Sequence, residues 1–200
     1  MQEILSISTK LAVIVISYLL GCICFAYYLS SIVHKKDIRL IGSGNPGSSN
    51  IGRQFGVLWF TAVLLLDALK GFIVVIFVNY FDFDIWVKSV SMLVVIIGHV
   101  WPVQLSFKGG KGLATLMGVA LGFNYIIVLG CVVIAGLFYL LISKSNAGLM
   151  VSVFFGPIFV WALGYSIEEV ITFMIMAAFM IFTHRNNISS FLNSTFKVLK

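Results

Sequence analysis

Long apolar runs separated by short polar segments dominate the chain. A helix needs about 20 mostly apolar residues to cross the hydrocarbon core of a bilayer. The runs predict helices over residues 11–33, 57–78, 85–107, 113–142, 149–163 and 170–182. The fourth run is too long for one straight span, and Gly122-Phe123-Asn124 divides it into a short helix and a full one. We therefore expect an all-α integral membrane protein with about seven transmembrane helices, some of them short.

Composition agrees with a membrane protein of one domain. Of the 200 residues, 60% are hydrophobic and 10% are charged, whereas charged residues make up roughly 25% of an ordinary globular domain. One soluble core cannot hide so much apolar surface, so lipid must cover the remainder. The length fits a single membrane-embedded domain over residues 1–200.

The basic residues indicate orientation rather than a nucleic-acid partner. The formal charge is +6, but Lys and Arg stand in short gaps between apolar runs and form no stripe on a soluble face. They collect after the first, third and fifth predicted helices and in the C-terminal tail. Lys and Arg accumulate in cytoplasmic loops. We expect the N-terminus outside and the C-terminus in the cytoplasm, which requires an odd number of spans.

Three polar blocks interrupt this pattern, and the first follows the first helix. Residues 42–50 read Gly-Ser-Gly-Asn-Pro-Gly-Ser-Ser-Asn, and Arg53 follows. Glycines let backbone N–H groups converge on an anion, and a helix N-terminus assists. The spacing also matches a dinucleotide-binding fingerprint, but no βαβ pattern surrounds it. We favour an anion site over a flexible connector, with these candidates: Gly42, Ser43, Gly44, Asn45, Gly47, Asn50 and Arg53.

The second block lies between the third and fourth predicted helices. It reads Gly-His-x-x-Pro from residue 98 and Phe-Lys-Gly-Gly-Lys-Gly-Leu-Ala-Thr from residue 107. Orientation explains two cytoplasmic lysines but not the glycines around them, and the spacing is not that of a Walker A loop. A histidine at a helix end is by itself more often structural than catalytic. The block predicts a second phosphate cradle, with these candidates: His99, Lys108, Gly109, Gly110, Lys111, Gly112 and Thr115.

The third block, Thr-His-Arg-Asn-Asn-Ile from residue 183, stands at the predicted end of the last helix. His184 and Asn187 are three residues apart and share a helix face, with Arg185 between them. Taken alone, a basic helix C-terminus is the simpler explanation. Inside the second helix, Asp67 and Lys70 predict an intrahelical ion pair that supports the site.

Together the blocks indicate a ligand with a phosphate head and an acyl tail. The predicted topology puts all three on the cytoplasmic face, beside membrane lipid. They supply many cations and N–H donors and few acids. Such a pocket suits one or two phosphate-bearing ligands.

In order, these blocks resemble those of the bacterial acyl-phosphate:glycerol-3-phosphate acyltransferases, the PlsY-type enzymes. The resemblance covers nearly the whole chain. It implies direct transfer of a fatty acyl group from acyl phosphate to the 1-hydroxyl of sn-glycerol 3-phosphate, giving lysophosphatidic acid and phosphate. It implies no metal, no cofactor and no CoA donor, and a location in the bacterial cell membrane. It implies these catalytic residues: Ser43, Lys111, His184 and Asn187.

Three positions depart from the family pattern. Thr183 stands where an Arg is usual, and Asn186 where an acidic residue is common. Asn146, in the loop before the sixth helix, stands where the family usually offers a Ser. An Asn can still donate a hydrogen bond, so Asn146 is kept as a candidate substrate-binding residue.

Other functions remain as alternatives. CoA-dependent glycerolipid acyltransferases carry Asp five residues after a His, and this chain has none at that distance from any of its histidines. A transporter of a phosphate ester or other anion would also use glycine-rich breaks, although transporters usually bind near the midplane and contain repeats. A purely structural membrane protein ranks third, because it would not need three donor-rich blocks.

Overall fold

The computed structural model describes residues 6–141 and 147–198, and every regular element within those ranges is helical. The α-helices are α1 (Ile7–Gly21), α2 (Phe25–Val33), α3 (Ser48–Phe55), α4 (Val57–Tyr80), α5 (Ile85–Val100), α6 (Leu113–Phe123), α7 (Tyr125–Leu141), α8 (Ala147–Ala162) and α9 (Ile167–Val198). Two short 3-10 turns, Ile38–Leu40 and Val103–Leu105, precede the first polar block and the lysine-rich part of the second. The all-α prediction is confirmed for the described residues.

The first predicted helix is in fact two helices. α1 and α2 are bent by 45° at a break over residues 22–24. The break lies where α1 meets α5, since Gly21 approaches the backbone of Val95 and Gly98 approaches the backbone of α1, with no room for a Cβ atom at either glycine. The prediction of one continuous helix was wrong because the sequence stays apolar through the break.

Glycines also bring α6 against α4. A Cβ atom on Gly71 would collide with the carbonyl oxygen of Thr115, and one on Gly118 with the carbonyl oxygen of Ala68. Gly122, one turn further along α6, faces the side chain of α4 residue Val75 and the backbone of its neighbouring turn. The small-residue spacing of α6 is typical of such close packing. The contact places the start of α6, and with it the second polar block, beside the middle of α4.

Three helical segments are long and apolar enough to cross a membrane: Val57–Tyr80, Ile85–Leu105 and Ile167–Ser189. The bent pair α1–α2 makes a fourth if it counts as one span. α6, α7 and the segment Gly148–Ala162 are apolar but shorter. The described residues therefore contain three or four candidate spans by length and composition. Seven crossings and an outer N-terminus stay predictions.

Helix ends differ from the prediction at α5 and at α9. α5 ends at Val100 and not at residue 107, since Pro102 follows and has no N–H to continue the helix. The predicted break before α7 is confirmed, because Asn124 separates α6 from α7 and its Oδ1 accepts from the N–H of Ile126 at 2.9 Å. α9 continues to Val198, well past its predicted end at residue 182, because residues 183–198 contain neither Gly nor Pro. α3 was not predicted, since its sequence reads as a polar loop.

The structure divides into two compact units, Met1–Phe123 and Asn124–Lys200. The first unit contains α1 to α6 with the first and second polar blocks, and the second contains α7 to α9 with the third block. Within the second unit, α8 packs on both α7 and α9. The Nδ2 of Asn124 donates to the hydroxyl of Tyr165 at 3.0 Å. A single domain for the whole chain stays a prediction.

Candidate active site

The first polar block is a loop folded around the side chain of Asn50. This side chain is fully buried. Its Nδ2 donates to the carbonyl oxygens of Ile38 and Ile41 at 3.1 and 3.0 Å, and its Oδ1 accepts from the N–H of Ser43 at 3.0 Å. Both amide hydrogens of Asn50 are thus used within the protein. Asn50 therefore shapes the loop, while Ser43 is exposed.

The backbone of this loop requires glycine at residue 42. Gly42 has a φ of +60°, a conformation that costs an L-residue about 1–2 kcal/mol. A Cβ atom there would also collide with the side chains of Asn50 and Gln54. Further along, the N–H of Gly47 donates to the carbonyl oxygen of Asn45 at 2.9 Å in the turn that leads into α3. The block is thus a compact turn rather than an open connector.

α3 carries Arg53 back toward the loop. Arg53 lies three residues after Asn50, and its Nη2 donates to the Oγ of Ser43 at 3.4 Å. Both side chains are exposed. The helix thus places a cation and a hydroxyl side by side, both able to donate to an anion.

The second polar block folds back onto the end of α5. The N–H of Gly109 donates to the carbonyl oxygen of Val100 at 3.1 Å, and that of Gly110 to the carbonyl oxygen of His99 at 3.0 Å. A Cβ atom on Gly110 would overlap the imidazole of His99, and one on Gly109 would overlap the carbonyl of His99. The fold therefore leaves no room for a side chain at either of these two positions.

Beyond these glycines the chain presents its lysines and enters α6. Lys108 is exposed and Lys111 is half-buried. Gly112 has a φ of +88°, and its carbonyl oxygen accepts from the N–H of Leu116 at 2.8 Å in the first turn of α6. Thr115 in that turn is fully buried. Lys111 is thus the lysine that lies against the protein.

Lys111 of the second block lies near enough to Arg53 of the first for their charges to repel. Burial lowers the pKa of the Lys111 amine, and repulsion from the nearby Arg53 guanidinium lowers it further. Because Arg53 also contacts Ser43, three polar side chains from two separate blocks converge. Two neighbouring cations can together attract an anion.

A buried charged cluster lies behind the second block. The Nζ of Lys70 is 3.0 Å from the Oδ1 of Asp67, which confirms the predicted ion pair along α4. The Nδ1 of His99 lies 2.7 Å from the Nζ of Lys70. All three side chains are buried. His99 thus faces the interior, and its ring supports the loop instead of lying open to solvent.

The third block lies within α9 and not at the end of a helix, so that part of the prediction was wrong. His184 is buried, and its Nδ1 is 3.0 Å from the carbonyl oxygen of Met180. A carbonyl only accepts, so Nδ1 carries the hydrogen and the lone pair of the neutral ring is on Nε2. Arg185 is exposed, with its Nη1 2.8 Å from the carbonyl oxygen of Phe182.

Asn187 is exposed on α9, one turn after His184. Both residues belong to the second unit, whereas Ser43, Arg53 and Lys111 belong to the first. Asn146 lies outside the described residues.

Comparison with known proteins identifies the family. Residues 11–194 match the glycerol-3-phosphate acyltransferase family. The chain belongs to this family. It is 38% identical to a glycerol-3-phosphate acyltransferase of Ehrlichia canis over 177 residues, which cover 88% of this chain and 92% of the relative. It is 37% identical to glycerol-3-phosphate acyltransferase 1 of Bacillus cereus over 178 residues, 89% of this chain and 98% of the relative.

Solved structures of PlsY (YgiH), an integral membrane glycerol 3-phosphate acyltransferase, share the fold. Its glycerol 3-phosphate form superposes with a TM-score of 0.86 at 30% identity, covering 96% of this chain and 98% of that chain. Its lysophosphatidic acid form gives a TM-score of 0.83, with 93% of each chain covered.

One contact of this acyltransferase-family chain was not expected from its sequence. The Nη2 of Arg39 is 2.7 Å from the Oδ2 of Asp37, and its Nη1 donates to the carbonyl oxygen of Leu105 at 3.3 Å. Hydrogen bonds from Arg39 lower the pKa of the Asp37 carboxyl. The Arg39 guanidinium also lies over the ring of Tyr27, 4.7 Å from its centroid. Arg39 therefore connects the 3-10 turns that precede the two loops. In the sequence, only the Asp-x-Arg spacing indicated the Asp37–Arg39 pair.

Proposed function

We propose that this chain transfers a fatty acyl group from an acyl phosphate to the 1-hydroxyl of sn-glycerol 3-phosphate. The products are lysophosphatidic acid and phosphate. The observation that carries the proposal is the convergence of Arg53, Lys111 and Ser43 in a member of the glycerol-3-phosphate acyltransferase family. The glycerol 3-phosphate and lysophosphatidic acid forms of the related PlsY support the same acceptor and product.

The pair of cations suits a phosphate group. A guanidinium offers several N–H donors in a fixed plane, and an ammonium supplies a compact charge. Lys111 is half-buried and repelled by Arg53, so a phosphate between them would relieve that repulsion. Phosphate binding would consequently raise the pKa of Lys111 toward its ordinary value. The hydroxyl of Ser43 adds a donor that can rotate toward either substrate.

We assign the remaining residues by their position and by the family resemblance. Ser43, Lys111, His184 and Asn187 act as catalytic residues that contact the phosphates. Substrate and phosphate binding is assigned to Gly42, Gly44, Asn45, Gly47, Arg53, Lys108, Gly109, Gly110, Gly112, Asn146 and Arg185. Asn50, His99 and Thr115 are buried, and we propose that they contribute by supporting the two loops.

The reaction needs positioning more than a strong side-chain base. The glycerol 3-phosphate hydroxyl oxygen attacks the acyl carbonyl carbon, and a new ester bond forms. The bond from that carbon to the phosphate oxygen breaks, and phosphate departs with the electron pair. The hydroxyl proton passes to an oxygen of the departing phosphate. Lys111 and Arg53 would stabilise the charge that develops on this group.

We propose that the substrates lie at the boundary between lipid and the polar loops. The acyl chain of the donor is apolar and would remain among lipid beside the apolar helices, while both phosphate groups lie at the polar loops. We propose that these loops face the cytoplasm, since Lys and Arg concentrate near them.

The first test is product formation by the purified protein in detergent or lipidic mesophase. Palmitoyl phosphate and glycerol 3-phosphate are supplied, and phosphate and lysophosphatidic acid are followed, with palmitoyl-CoA as donor in a parallel reaction. We expect product from the acyl phosphate alone. Product from palmitoyl-CoA would overturn the assigned donor. No product from a folded protein that binds glycerol 3-phosphate would favour the transporter, and an uptake assay in vesicles would follow.

The same assay tests the assigned residues. We expect Lys111→Ala and His184→Ala each to lower kcat/KM by about 100-fold or more, because each removes a group that we assign to the reacting phosphates. Lys88→Ala is the matched control for the lysine, since its ammonium pairs with Asp82 3.3 Å away at an exposed site. Normal activity in a folded Lys111 or His184 variant would remove that residue from the site.

A further inference from the structure

Lys70 is among the largest fully buried side chains of the described structure. A buried ammonium is costly unless acceptors surround it. Its Nζ lies 2.9 Å from the carbonyl oxygen of Gly21, 2.8 Å from that of Ile23 and 2.7 Å from the Nδ1 of His99. The Oδ1 of Asp67 is 3.0 Å away. Charge balance with Asp67 would require only the last of these contacts.

The two carbonyls belong to the break between α1 and α2. In a continuous helix each carbonyl accepts from the N–H four residues later. The bend of 45° over residues 22–24 interrupts that series, and an unpaired carbonyl in apolar surroundings is unfavourable. Lys70 donates to the carbonyl of Gly21, the last residue of α1, and to that of Ile23, within the break. The ammonium thereby fastens the bend to α4.

The third acceptor connects Lys70 to the second loop. An ammonium only donates, so the Nδ1 of His99 carries the lone pair and its Nε2 carries the hydrogen. The Nε2 edge of the ring lies against Gly110, where a Cβ atom would overlap it. The carbonyl oxygen of His99 accepts from the N–H of Gly110 at 3.0 Å. His99 thus holds Gly110 through both its ring and its backbone, and Lys111 is the next residue.

We infer that Lys70 is a positioning residue for Lys111, acting through His99 and Gly110. The α1–α2 break, α4, the end of α5 and the second loop all meet at its ammonium. Lys70 does not touch the substrate. The inference rests on the proposed function where enzyme activity is measured. Amide exchange of the loop hydrogen bonds provides a second test, which needs no substrate.

Two variants separate positioning from charge balance. Lys70→Met removes the donors and leaves Asp67 without its counter-charge, while D67N/K70M removes the donors and the buried charge together. If Lys70 only balanced Asp67, the double variant would recover wild-type behaviour. If Lys70 positions the loop, the double variant stays impaired. Asp67→Asn alone retains the donors, and Lys88→Met removes an ammonium from an exposed ion pair.

Amide hydrogen exchange of the peptide covering residues 107–113 is the substrate-free readout. We expect exchange at Gly109 and Gly110 to become about tenfold faster in Lys70→Met and in D67N/K70M. The reason is that the end of α5, whose Val100 and His99 carbonyls accept from these two N–H groups, is no longer fixed. We expect wild-type exchange in Lys88→Met and close to wild-type exchange in Asp67→Asn. If Lys70→Met does not fold, D67N/K70M can be compared with the wild type instead. It also lacks the Lys70 donors but leaves no unpaired buried charge.

Steady-state kinetics supply the second readout. We expect kcat to fall about tenfold to 100-fold in both Lys70 variants, since a shift of about 1 Å at a catalytic group has effects of that size, with a smaller change in KM for the acyl phosphate. Wild-type exchange and wild-type kcat in D67N/K70M would overturn the inference. If the wild-type protein transfers no acyl group, the proposed function fails, and the exchange rates alone then decide the role of Lys70.

Discussion

The two glycine-rich loops look alike in sequence, but the glycine at the centre of each serves the fold differently. In the first loop, Gly42 has a left-handed backbone with a φ of +60°, and a Cβ atom there would also collide with the side chains of Asn50 and Gln54. In the second, Gly110 supplies space alone, since its φ is not positive and a Cβ atom there would overlap the ring of His99. A glycine-rich segment therefore does not reveal which property of glycine the fold requires.

The loops also differ in what organises them. The first is held by one side chain, because Asn50 bonds to three backbone groups of residues 38–43. The second is held by its backbone, because Gly109 and Gly110 donate to the last carbonyls of α5. We therefore expect the first loop to be sensitive to the chemistry of the Asn50 side chain, and the second to volume added at Gly110. The experiments below test this difference in order of expected effect.

The largest effect is expected from Gly110→Ala. The new methyl group would enter the space of the His99 ring, so the loop and Lys111 must shift. We expect kcat/KM for acyl transfer to fall by about 100-fold or more. The measurement is the acyl phosphate assay on purified, folded protein.

Gly136→Ala is the matched control. Gly136 lies on α7 with open space around the position of a Cβ atom, so we expect unchanged activity. A Gly110→Ala enzyme with wild-type kcat/KM would show that the second loop tolerates added volume, and the contrast between the loops would be lost.

Asn50→Asp should have the next largest effect, in this case on the free energy of unfolding. The carboxylate keeps the shape of the amide but replaces two donated hydrogen bonds with repulsion from the carbonyls of Ile38 and Ile41. We expect a loss of about 3 kcal/mol in the free energy of unfolding, in line with unsatisfied buried groups. Chemical denaturation in detergent measures it. Asn79→Asp, at an exposed position of α4, controls for the added charge, and an equal loss in both variants would contradict the role of Asn50.

The proposed anion site includes Lys111, so its affinity for a phosphate should depend on pH. Because the pKa of Lys111 is lowered in the free protein, its charge is lost at a lower pH than that of an ordinary lysine. We expect affinity for glycerol 3-phosphate to decline by up to about tenfold per pH unit above that lowered pKa, as for loss of one proton. The ligand phosphate titrates at about pH 6, so it stays fully ionised over the range in which Lys111 loses its proton.

Lys111→Arg provides the comparison, because a guanidinium remains charged throughout this range. We expect the alkaline decline to disappear in this variant when binding is measured by calorimetry. The same decline in wild type and variant would assign it to another group.

The smallest effect is expected from Asp37→Asn, at the contact that joins the two loops. Hydrogen bonds from Arg39 lower the pKa of the Asp37 carboxyl in the folded protein. The pair therefore adds stability above the unfolded pKa of about 3.9 and loses it as the pH falls through the lower folded value. We expect Asp37→Asn to lower stability by about 0.5 kcal/mol at pH 7, as for a partly exposed pair.

Unfolding at two pH values checks this expectation. The difference between wild type and Asp37→Asn should be present at pH 7 and vanish below the lowered pKa of Asp37. Asp82→Asn, in the exposed pair with Lys88, provides the control. A difference that persists in acid would assign the effect to packing of the side chain rather than to its charge.

Apolar runs predicted α4, α5 and the break at Asn124 because those signals are local. A run of about 20 apolar residues is helical in lipid whatever its neighbours are. The bend between α1 and α2 was missed because it depends on a close approach to α5 and on Lys70 from α4. The extension of α9 was missed because a change to polar residues was read as a helix end.

The sequence by itself determined three properties: the helical, apolar character of the chain, the glycines and cations of the polar blocks, and the Asp67–Lys70 ion pair. Those properties follow from residue type and short spacing. Only the tertiary structure decided which of these side chains are buried and which are accessible. Asn50 and His99 are buried, whereas Arg53 is exposed and lies near the half-buried Lys111. The physical reason is that burial and hydrogen-bond partners come from contacts between segments distant in sequence, which no local pattern records.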